Sequence, residues 1–456
     1  MGDRRRRSMA MQMAQYQARM EIEDAELFNA EVELFNSFMQ SEHNGESSHR
    51  GSVTGRSYVQ RDREECHDRM MKDYFIERPR FHAHDFRRRF RMRRELFESI
   101  LNAVVNHDQY FERRVDATGR QGLSPHQKLT SAFRMLANGC SADSTDEYCR
   151  LAESTAIENL KRFCKAIEGI YGATYLRNPN RADLKRLLRK AEKRGFPGMI
   201  GSLDCMHWEW KNCPTGWAGQ FKGRHDKPTI VLEAVASYDT WIWHAFFGAP
   251  GSNNDINVLW SSPLFDNVVN GWAPEFRYKV NGNRYELGYY LTDGIYPSWS
   301  TFVKSFSHPD SAKKKLYSQR QESYRKDVER AFGILQARWA IVRGPARFWQ
   351  SEDLHSIMMT CIILHNMIVE DEYIEIEEDS DEDVDDDQPT HARAIARDVE
   401  YLAPTTYETR QDRVTLSEYM RRLNRIQAPQ CHDTLRKDLV EHVWRREDLF
   451  EQIHRF

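Results

Sequence analysis

Four acidic residues lie within, at the end of or just past apolar segments, or beside the apolar stripe of a helix, where they could do chemistry together: Asp204, Asp255, Asp293 and Glu329. An ionised carboxylate at the rim of a core costs free energy unless a positive partner meets it. A single Asp of this kind is usually a cap or turn residue. Four of them on neighbouring elements would repel one another and raise one another's pKa values.

A divalent cation between the four carboxylates would remove this repulsion. Mg²⁺ prefers hard oxygen ligands, retains several waters and binds through a few carboxylates together with substrate phosphate. The acids therefore predict a Mg²⁺ site, and its metal ion is the positive partner that they need.

Cysteine and histidine residues do not indicate a zinc site. Cys205, His207 and Cys213 lack the second ligand pair that a structural zinc site requires. His207 has two interpretations, a core histidine or a side chain that orients a phosphate. None of the 8 cysteines falls in a C-x-x-C motif, and there is neither a signal peptide nor a membrane-length apolar run. We expect a reducing compartment, the cytosol or the nucleus.

The formal net charge of −3 conceals a segregation of sign. Residues 370–387 hold thirteen acidic residues and no basic one, and removing these from the total leaves +10 on the rest of the chain. The segment Arg78–Arg94 contains eight arginines with Phe and Met between them. Such a segment is either a solvated helix face or a surface for a phosphate backbone.

Three hydroxyl residues stand three positions before Glu or Gln, the spacing of a capping box that starts a helix: Ser124, Ser144 and Thr155. Gly139 is a stop signal for the first of these helices. The third predicted helix places four polar residues away from its apolar stripe: Asn159, Lys161, Arg162 and Lys165. Two helices joined by a short turn, the second basic outside, predict a DNA-binding helix-turn-helix. A helical packing module that contacts no DNA is the alternative.

The periodicity becomes strand-like after residue 198. Apolar, β-branched and aromatic runs with turn residues between them predict four strands, at 199–210, 229–239, 241–251 and 289–293. A helix is predicted over 321–342, with Val328, Phe332 and Leu335 on its core stripe. The folded body is therefore expected to be α/β or α+β, with a central sheet.

The region from about residue 85 to 372 resembles the transposases of PIF/Harbinger DNA transposons, in particular the plant Pong-like branch, which is related to the animal Harbinger-derived nuclease. The motifs that carry the resemblance are DEYCRLAESTA, GFPGMIGSLDCMHWEWKNCP, KPTIVLEAVASYD, WIWHAFFGAPGSNNDINVL, YYLTDGIYPSW, RKDVERAFGILQARW and CIILHNMIVEDE.

The resemblance implies an α/β fold in which an RNase H-like catalytic core, a mixed sheet flanked by helices, follows a helix-turn-helix domain. It implies a catalytic triad of Asp204, Asp293 and Glu329 that binds two Mg²⁺ or Mn²⁺ ions, with Asp255 as a fourth metal ligand. Related bacterial transposases have an R-x3-E-x6-K pattern. Here it corresponds to Arg325, Glu329 and Gln336, so that glutamine replaces the final lysine.

The function implied by the resemblance is Mg²⁺-dependent cleavage at transposon terminal inverted repeats and strand transfer into target DNA. Implied partners are double-stranded DNA, a Myb-like protein encoded by the element and further copies of this chain. The implied location is the nucleus, with shuttling to the cytoplasm. The residues expected to bind DNA are Arg87, Arg88, Arg89, Arg91, Lys161, Arg162, Lys165 and Arg325. The alternatives are a domesticated derivative that binds DNA or chromatin without cutting it, and a hydrolase of small phosphate esters.

Composition and periodicity, together with what the resemblance implies for the nuclease core, predict six regions. They are a disordered or partly helical region at 1–60, an arginine-rich arm and helix at 61–120, a helix-turn-helix domain at 121–175, an RNase H-like nuclease domain at 196–370, an acidic linker at 371–390 and a C-terminal helical region at 391–456. The last region has an apolar stripe that begins at Leu416. This stripe either packs on the catalytic domain or a second subunit, or forms a nuclear export signal.

Overall fold

The computed structural model describes residues 61–117, 119–223, 226–274, 276–380, 400, 401 and 415–453. The chain divides into two units, Met1–Gln60 and Arg61–Phe456, and all described residues belong to the second. The expectations for residues 1–60 and for residues 381–390 of the acidic linker lie outside the described residues, whereas residues 371–380 of the predicted linker are helical.

Helices form the first part of the described chain. Their bounds are α1 Arg63–Met70, α2 Ala83–Phe90, α3 Arg94–His107, α4 Pro125–Asn138, α5 Asp146–Cys149, α6 Glu153–Tyr175 and α7 Arg181–Lys193, and one π-helical turn, Met71–Phe75, follows α1. The predicted start of α4 is confirmed, because Ser124 and Gln127 form a reciprocal capping box. Gly139 ends this helix in the left-handed conformation, as predicted.

The other two predicted helix starts are wrong. The hydroxyl of Ser144 donates to the carbonyl of Ser141 at 2.8 Å, and α5 begins two residues later without a side-chain cap. Helix α6 already begins at Glu153, so Thr155 lies within it. A carboxylate in the first turn stabilises a helix N-terminus through the helix dipole, so α6 does not need a hydroxyl cap.

A five-stranded mixed sheet forms the centre of the fold. Its strands are β1 Met199–Glu209, β2 Thr229–Ala236, β3 Ile242–Pro250, β6 Tyr289–Leu291 and β7 Phe302–Val303, in the order β3-β2-β1-β6-β7. The pairs β3–β2 and β2–β1 are antiparallel, and the pairs β1–β6 and β6–β7 are parallel. The four predicted strands are confirmed. A smaller sheet contains β4 Phe276–Val280, β5 Asn283–Tyr285 and β8 Glu400–Tyr401.

The remaining helices flank this sheet. They are α8 Thr215–Phe221, α9 Asp255–Ser261, α10 Asp266–Val269, α11 Ala312–Arg338, α12 Ala340–Arg343, α13 Ser351–Ser380, α14 Leu416–Ile426 and α15 Pro429–Ile453. The fold is therefore mixed α/β, with a helical region before the sheet. Among the described residues, no helix has the length and apolar character that crossing a membrane requires.

Helix α11 packs on one face of β1. Its predicted core residues are buried, and they share a hydrophobic core with residues of β1 and β2: Val328, Phe332, Leu335, Trp208 and Leu232. The other face of the sheet packs against α9 and α14, through Leu203 of β1, Leu259 and Ile426. Because side chains alternate along a strand, Asp204 and Trp208 lie on the α11 side of β1.

The helical region and the sheet share one hydrophobic core. Phe133 of α4, Phe163 of α6 and Trp339 after α11 belong to the same buried cluster. Asn159, which was predicted to face away from the apolar stripe of α6, is fully buried. Its amide donates to Ser131 at 2.9 Å, and its oxygen accepts from Tyr110 at 2.7 Å. Partners on other helices thus allow a polar side chain at a core position.

The C-terminal helices α14 and α15 fold back on the catalytic sheet region. Ile426, Leu435, Leu439 and Val443 are buried, whereas Leu416 at the start of α14 is 77% exposed. Leu435 and Leu439 share a cluster with Tyr289 of β6. The stripe is half-buried at Leu423 and fully buried at Ile426, and this supports packing of its C-terminal part on the rest of the chain rather than an export signal, which requires an accessible apolar face.

Asn366 on α13 ties the helical region to the sheet. Its side chain accepts from the backbone N–H of Ile242 at 2.9 Å, donates to the carbonyl of the same residue at 2.8 Å and donates to the carbonyl of Tyr175 at 2.9 Å. The three contacts connect α13, β3 and the end of α6. The motif Leu364-His365-Asn366 therefore has a structural role.

Replacement Asn366→Ala should lower the free energy of unfolding by about 3 kcal/mol, because it leaves buried backbone groups of Ile242 and Tyr175 without partners. Chemical denaturation measures this loss. The exposed Asn102 on α3 provides a control, and Asn102→Ala should change stability by no more than about 0.5 kcal/mol. Equal small effects of the two variants would contradict the assigned role.

Candidate active site

Arg325 lies between two of the predicted catalytic carboxylates. Asp204 is on β1, and Arg325 and Glu329 are one turn apart on α11, which packs on that face of the strand. One guanidinium nitrogen of Arg325 lies 3.3 Å from Asp204 Oδ2 and 2.7 Å from Glu329 Oε1. The side chains of Arg325 and Asp204 are only 18% and 19% exposed. The packing of α11 on β1 thus brings two members of the predicted triad to one cation.

The carboxyl group of Asp204 is electrostatically strained. Burial raises its pKa to about 6, and the charges of Asp293 and Glu329 act in the same direction. The backbone N–H of Cys205, which donates to Oδ1 at 2.9 Å, and the charge of Arg325 oppose this shift in the pKa of Asp204. At neutral pH, the ionised form of Asp204 therefore depends on these donors or on an added cation.

Asp293 lies beside Asp204 because of the strand register. Strand β6 runs parallel to β1, with Leu291 opposite Ser202. Asp204 lies two residues after Ser202, and Asp293 lies two residues after Leu291. Because the two strands are parallel, both aspartates lie toward the same edge of the sheet. The backbone N–H of Ile295 donates to Asp293 Oδ1 at 3.0 Å, which fixes one oxygen in a tight turn.

Asp255 approaches the same sheet edge from the other side. It is the first residue of α9, after the N-cap Asn254. Burial raises its pKa, the charge of Asp293 adds to this, and His207 and a hydrogen bond with the Cys205 thiol act in the opposite direction. Asp293 is therefore near enough to influence both Asp204 and Asp255, and the four acids share one region.

His207 is exposed, so its interpretation as a core histidine is wrong. Its Nδ1 lies 3.0 Å from the hydroxyl of Thr229. Successive residues of β1 point to opposite faces, and this alternation turns His207 away from the core that Trp208 enters. Gln336, at the position of the lysine in the bacterial pattern, donates to the sulfur of Met206 at 3.2 Å.

Glu233 on β2 was not among the predicted site residues. It pairs in register with Cys205 and is fully buried. One carboxylate oxygen lies 3.2 Å from His244 Nε2, and the other has no hydrogen-bond partner among the described residues. A lone carboxylate in the apolar run TIVLEAVA was the sequence signal for this residue.

The predicted arginine arm packs against the helical region. Arg89 donates to the hydroxyl of Tyr74 and lies 3.9 Å from the centroid of the Phe81 ring. Arg91 donates to the carbonyl of Ala137 at 3.3 Å. Arg88 remains exposed, in an ion pair with Asp85 at 3.0 Å. Arg87 is half-buried and also has an interaction partner.

The basic residues of α6 differ in their surroundings. Lys161 pairs with Asp353 of α13 at 2.7 Å, and Arg162 pairs with Asp108 at 3.3 Å and also with Glu158. Lys165 is exposed and has no ion-pair partner among the described residues. Of the three, Lys165 is therefore the most available to a phosphate.

Comparison with known proteins agrees with this arrangement. The family model for plant transposon proteins matches residues 173–375, the segment that contains all four acids. Residues 173–375 belong to the plant transposon protein family. A domain of unknown function matches residues 67–105. The resemblance to Harbinger-related plant transposases is thereby confirmed.

Two curated relatives of this plant transposon protein segment come from Arabidopsis thaliana. Protein ALP1-like is 25% identical over 309 residues, which are 66% of this chain and 72% of the relative. Protein Antagonist of Like Heterochromatin Protein 1 is 24% identical over 256 residues, 54% of this chain and 63% of the relative. No solved structure gives a significant match.

The chemistry of the donor set fits Mg²⁺. Asp204, Asp293, Asp255 and Glu329 supply hard oxygen ligands, and burial, together with the charges of Asp293 and Glu329, raises the pKa of Asp204. Among the described residues, however, no group of three or more His, Cys, Asp or Glu side chains is arranged to hold one ion. The guanidinium of Arg325 is the cation that contacts Asp204 and Glu329.

Replacement Asp204→Asn should stabilise the metal-free protein near pH 7 by about 1–3 kcal/mol. Because the folded-state pKa of Asp204 is raised to about 6 from the ordinary aspartate value of 3.8, its ionisation costs stability as the pH rises through this interval. The gain should therefore shrink below about pH 4. Thermal unfolding in EDTA at several pH values measures it.

The exposed Asp68 on α1 is the matched control, since Asp68→Asn should change the stability near pH 7 by no more than about 0.5 kcal/mol. Addition of Mg²⁺ should raise the stability of the wild-type protein more than it raises the stability of the Asp204→Asn variant. A variant that follows the wild-type curve in EDTA would contradict the raised pKa of Asp204.

Proposed function

We propose that this protein is a DNA transposase that cleaves phosphodiester bonds at the ends of a transposon and joins the freed ends to target DNA. The observation that carries the proposal is the convergence of Asp204, Asp293 and Glu329 in the segment that belongs to the plant transposon protein family. A mixed five-stranded sheet with acids at one edge and a helix that supplies the third acid also supports an RNase H-like core.

Asp204, Asp293 and Glu329 would hold the metal ions, with Asp255 as an additional ligand. When bound, Mg²⁺ supplies positive charge that stabilises the attacking and leaving oxygens of a phosphoryl transfer. Arg325 keeps Asp204 and Glu329 together and favours the ionised form of Asp204. His207, which is exposed near Asp255, would donate to a phosphate oxygen.

The proposed reaction has two steps at phosphorus. In the first, a water oxygen bonds to phosphorus and the 3′-oxygen of the element's end leaves, gaining a proton. In the second, this 3′-hydroxyl attacks a phosphorus of target DNA, loses its proton, and displaces a 3′-oxygen there. The number of phosphodiester bonds is conserved in the second step, so it needs no external energy source.

A second candidate function is DNA or chromatin binding without cleavage. Two observations favour it. Arg325 occupies the space between Asp204 and Glu329, and the described residues contain no preformed metal cluster. One relative is named for antagonism of Like Heterochromatin Protein 1. Cleavage assays distinguish this function from that of a transposase.

The proposed partners follow from the same function. They are double-stranded DNA of terminal inverted repeats and target sites, a Myb-like partner protein and at least one further copy of this chain. The proposed location is the nucleus. Exposed Lys165 and Arg88 are the available members of the predicted DNA-binding set, and Arg325 is the cation nearest to the acids.

Each of the changes Asp204→Ala, Asp293→Ala and Glu329→Ala should reduce Mg²⁺-dependent cleavage of candidate element ends at least about 10³-fold, because loss of one ligand removes the metal site rather than weakening it in proportion. Gel analysis of labelled DNA measures the cleavage. Asp255→Ala should have a partial effect.

Glu322→Ala is the matched control for these variants, because Glu322 is an exposed acid on the same helix as Glu329. It should cleave DNA as the wild-type protein does. Cleavage by a folded variant of Asp204, Asp293 or Glu329 would show that the substituted residue is not a member of the triad. Absence of cleavage by the wild-type protein, together with retained DNA binding, would favour the binding function.

Replacement Lys165→Gln should weaken binding to duplex DNA and reduce the slope of log affinity against log salt by about one, as expected for one lost phosphate contact. Fluorescence anisotropy across a salt series measures both quantities. Lys437→Gln, an exposed change on α15, is the control. An unchanged slope in Lys165→Gln would favour the packing-module interpretation of α6.

A further inference from the structure

A cavity of about 600 Å³ lies between the helical region and the end of β1 that is farther from the acids. Its volume is in the range of ligand-binding pockets. The walls come from the end of α4, from α6, from the segment 340–350 and from the start of α13. Trp208 forms part of the lining and is held by a hydrogen bond from its indole N–H to the carbonyl of Gly344 at 2.8 Å.

Trp349 lines the same cavity and is 64% exposed. An indole ring left in water at the mouth of a mainly apolar cavity offers a face on which a flat ring can stack. Ile157 and Leu354 supply further apolar contacts. The cavity therefore suits a planar, partly apolar group better than a fully hydrated one.

The surface beside the cavity is positive. Arg347 lines the cavity, and Arg343 directly precedes the lining residue Gly344. Lys211 lies next to the cavity because its backbone N–H donates to the carbonyl of the lining residue Ala346 at 3.0 Å. All three cations are exposed, and none has a carboxylate partner among the described residues.

The acidic side chains of the lining do not cancel this charge. Asp353 is neutralised by Lys161 at 2.7 Å, which leaves Glu153 as the one remaining acid in the lining. Three unpaired cations beside an aromatic cavity are complementary to a nucleotide, whose base stacks and whose phosphates carry negative charge.

The cavity lies at a definite distance from the candidate active site. Trp208 follows Asp204 by four residues on the same face of β1. At about 3.4 Å per residue, the separation along the strand is about 14 Å. This distance corresponds to about four base pairs of DNA.

We propose that the cavity lined by Trp208 and Trp349 captures an unstacked base of the bound DNA about four nucleotides from the cleaved bond. The proposal rests on the proposed transposase function and specifies the form of DNA that it recognises. Lys211, Arg343 and Arg347 bind the adjacent phosphates. Capture of the base would hold the DNA end in register with Asp204.

The test compares two labelled duplexes of a candidate element end, one fully paired and one with a single mismatch about four base pairs from the 3′ end. Extrusion of a base from a paired duplex costs the free energy of its base pair. A mismatched base lacks this pairing, so its extrusion costs less. The full-length wild-type protein in EDTA should therefore bind the mismatched duplex about tenfold more tightly, as measured by fluorescence anisotropy. Trp349→Ala should abolish this preference, and Trp349→Phe should retain most of it.

Trp272→Ala is the matched control, because Trp272 is 59% exposed and does not line this cavity. It should keep the tenfold preference. An equal preference in Trp349→Ala and wild type would overturn the proposal, and so would an equal loss of affinity for both duplexes. If the wild-type protein binds neither duplex, the proposed function itself fails, and base capture fails with it.

Discussion

Carboxylates that are partly buried and repel one another at one sheet edge govern how this site is built. Asp204, Asp293, Asp255 and Glu329 come from separate elements, and the charges of Asp293 and Glu329 help to raise the pKa of Asp204. Arg325 reduces the repulsion by contacting Asp204 and Glu329. A site with this balance loses stability to gain affinity for a cation, which is the usual relation between stability and function at active sites.

The scaffold must hold these acids together against their repulsion, and it does so by burial. One continuous core joins the helical region to the sheet. Helix α11 is fixed on β1 by Val328 and Leu335, which places Arg325 and Glu329 over Asp204. Asn366 and its three backbone contacts keep α13 on β3. Rigidity around the site thus comes from contacts that are distant in sequence.

The transposase and binding functions differ in what happens to Arg325. In a cleaving enzyme, this guanidinium has to share Asp204 and Glu329 with metal ions, whereas in a binding protein it can remain their permanent partner. The segment 173–375 belongs to a transposon protein family, which favours the first function. The absence of a preformed metal cluster among the described residues favours the binding function.

Signals within short stretches of the sequence specify the local elements. Strand periodicity located β1, β2, β3 and β6, and a capping box located the start of α4 at Ser124. The acids of the site were identifiable because a carboxylate at the end of an apolar run is unusual. These signals depend on neighbours within a few residues, so they can be read from one chain.

Long-range packing specifies which side chains meet. It buried Asn159 between helices and packed Arg89 and Arg91 into the helical region. It also placed Arg325 between two acids and buried Glu233 behind them. Periodicity does not contain this information, because a polar side chain can be buried wherever a distant residue supplies its hydrogen-bond or ionic partner.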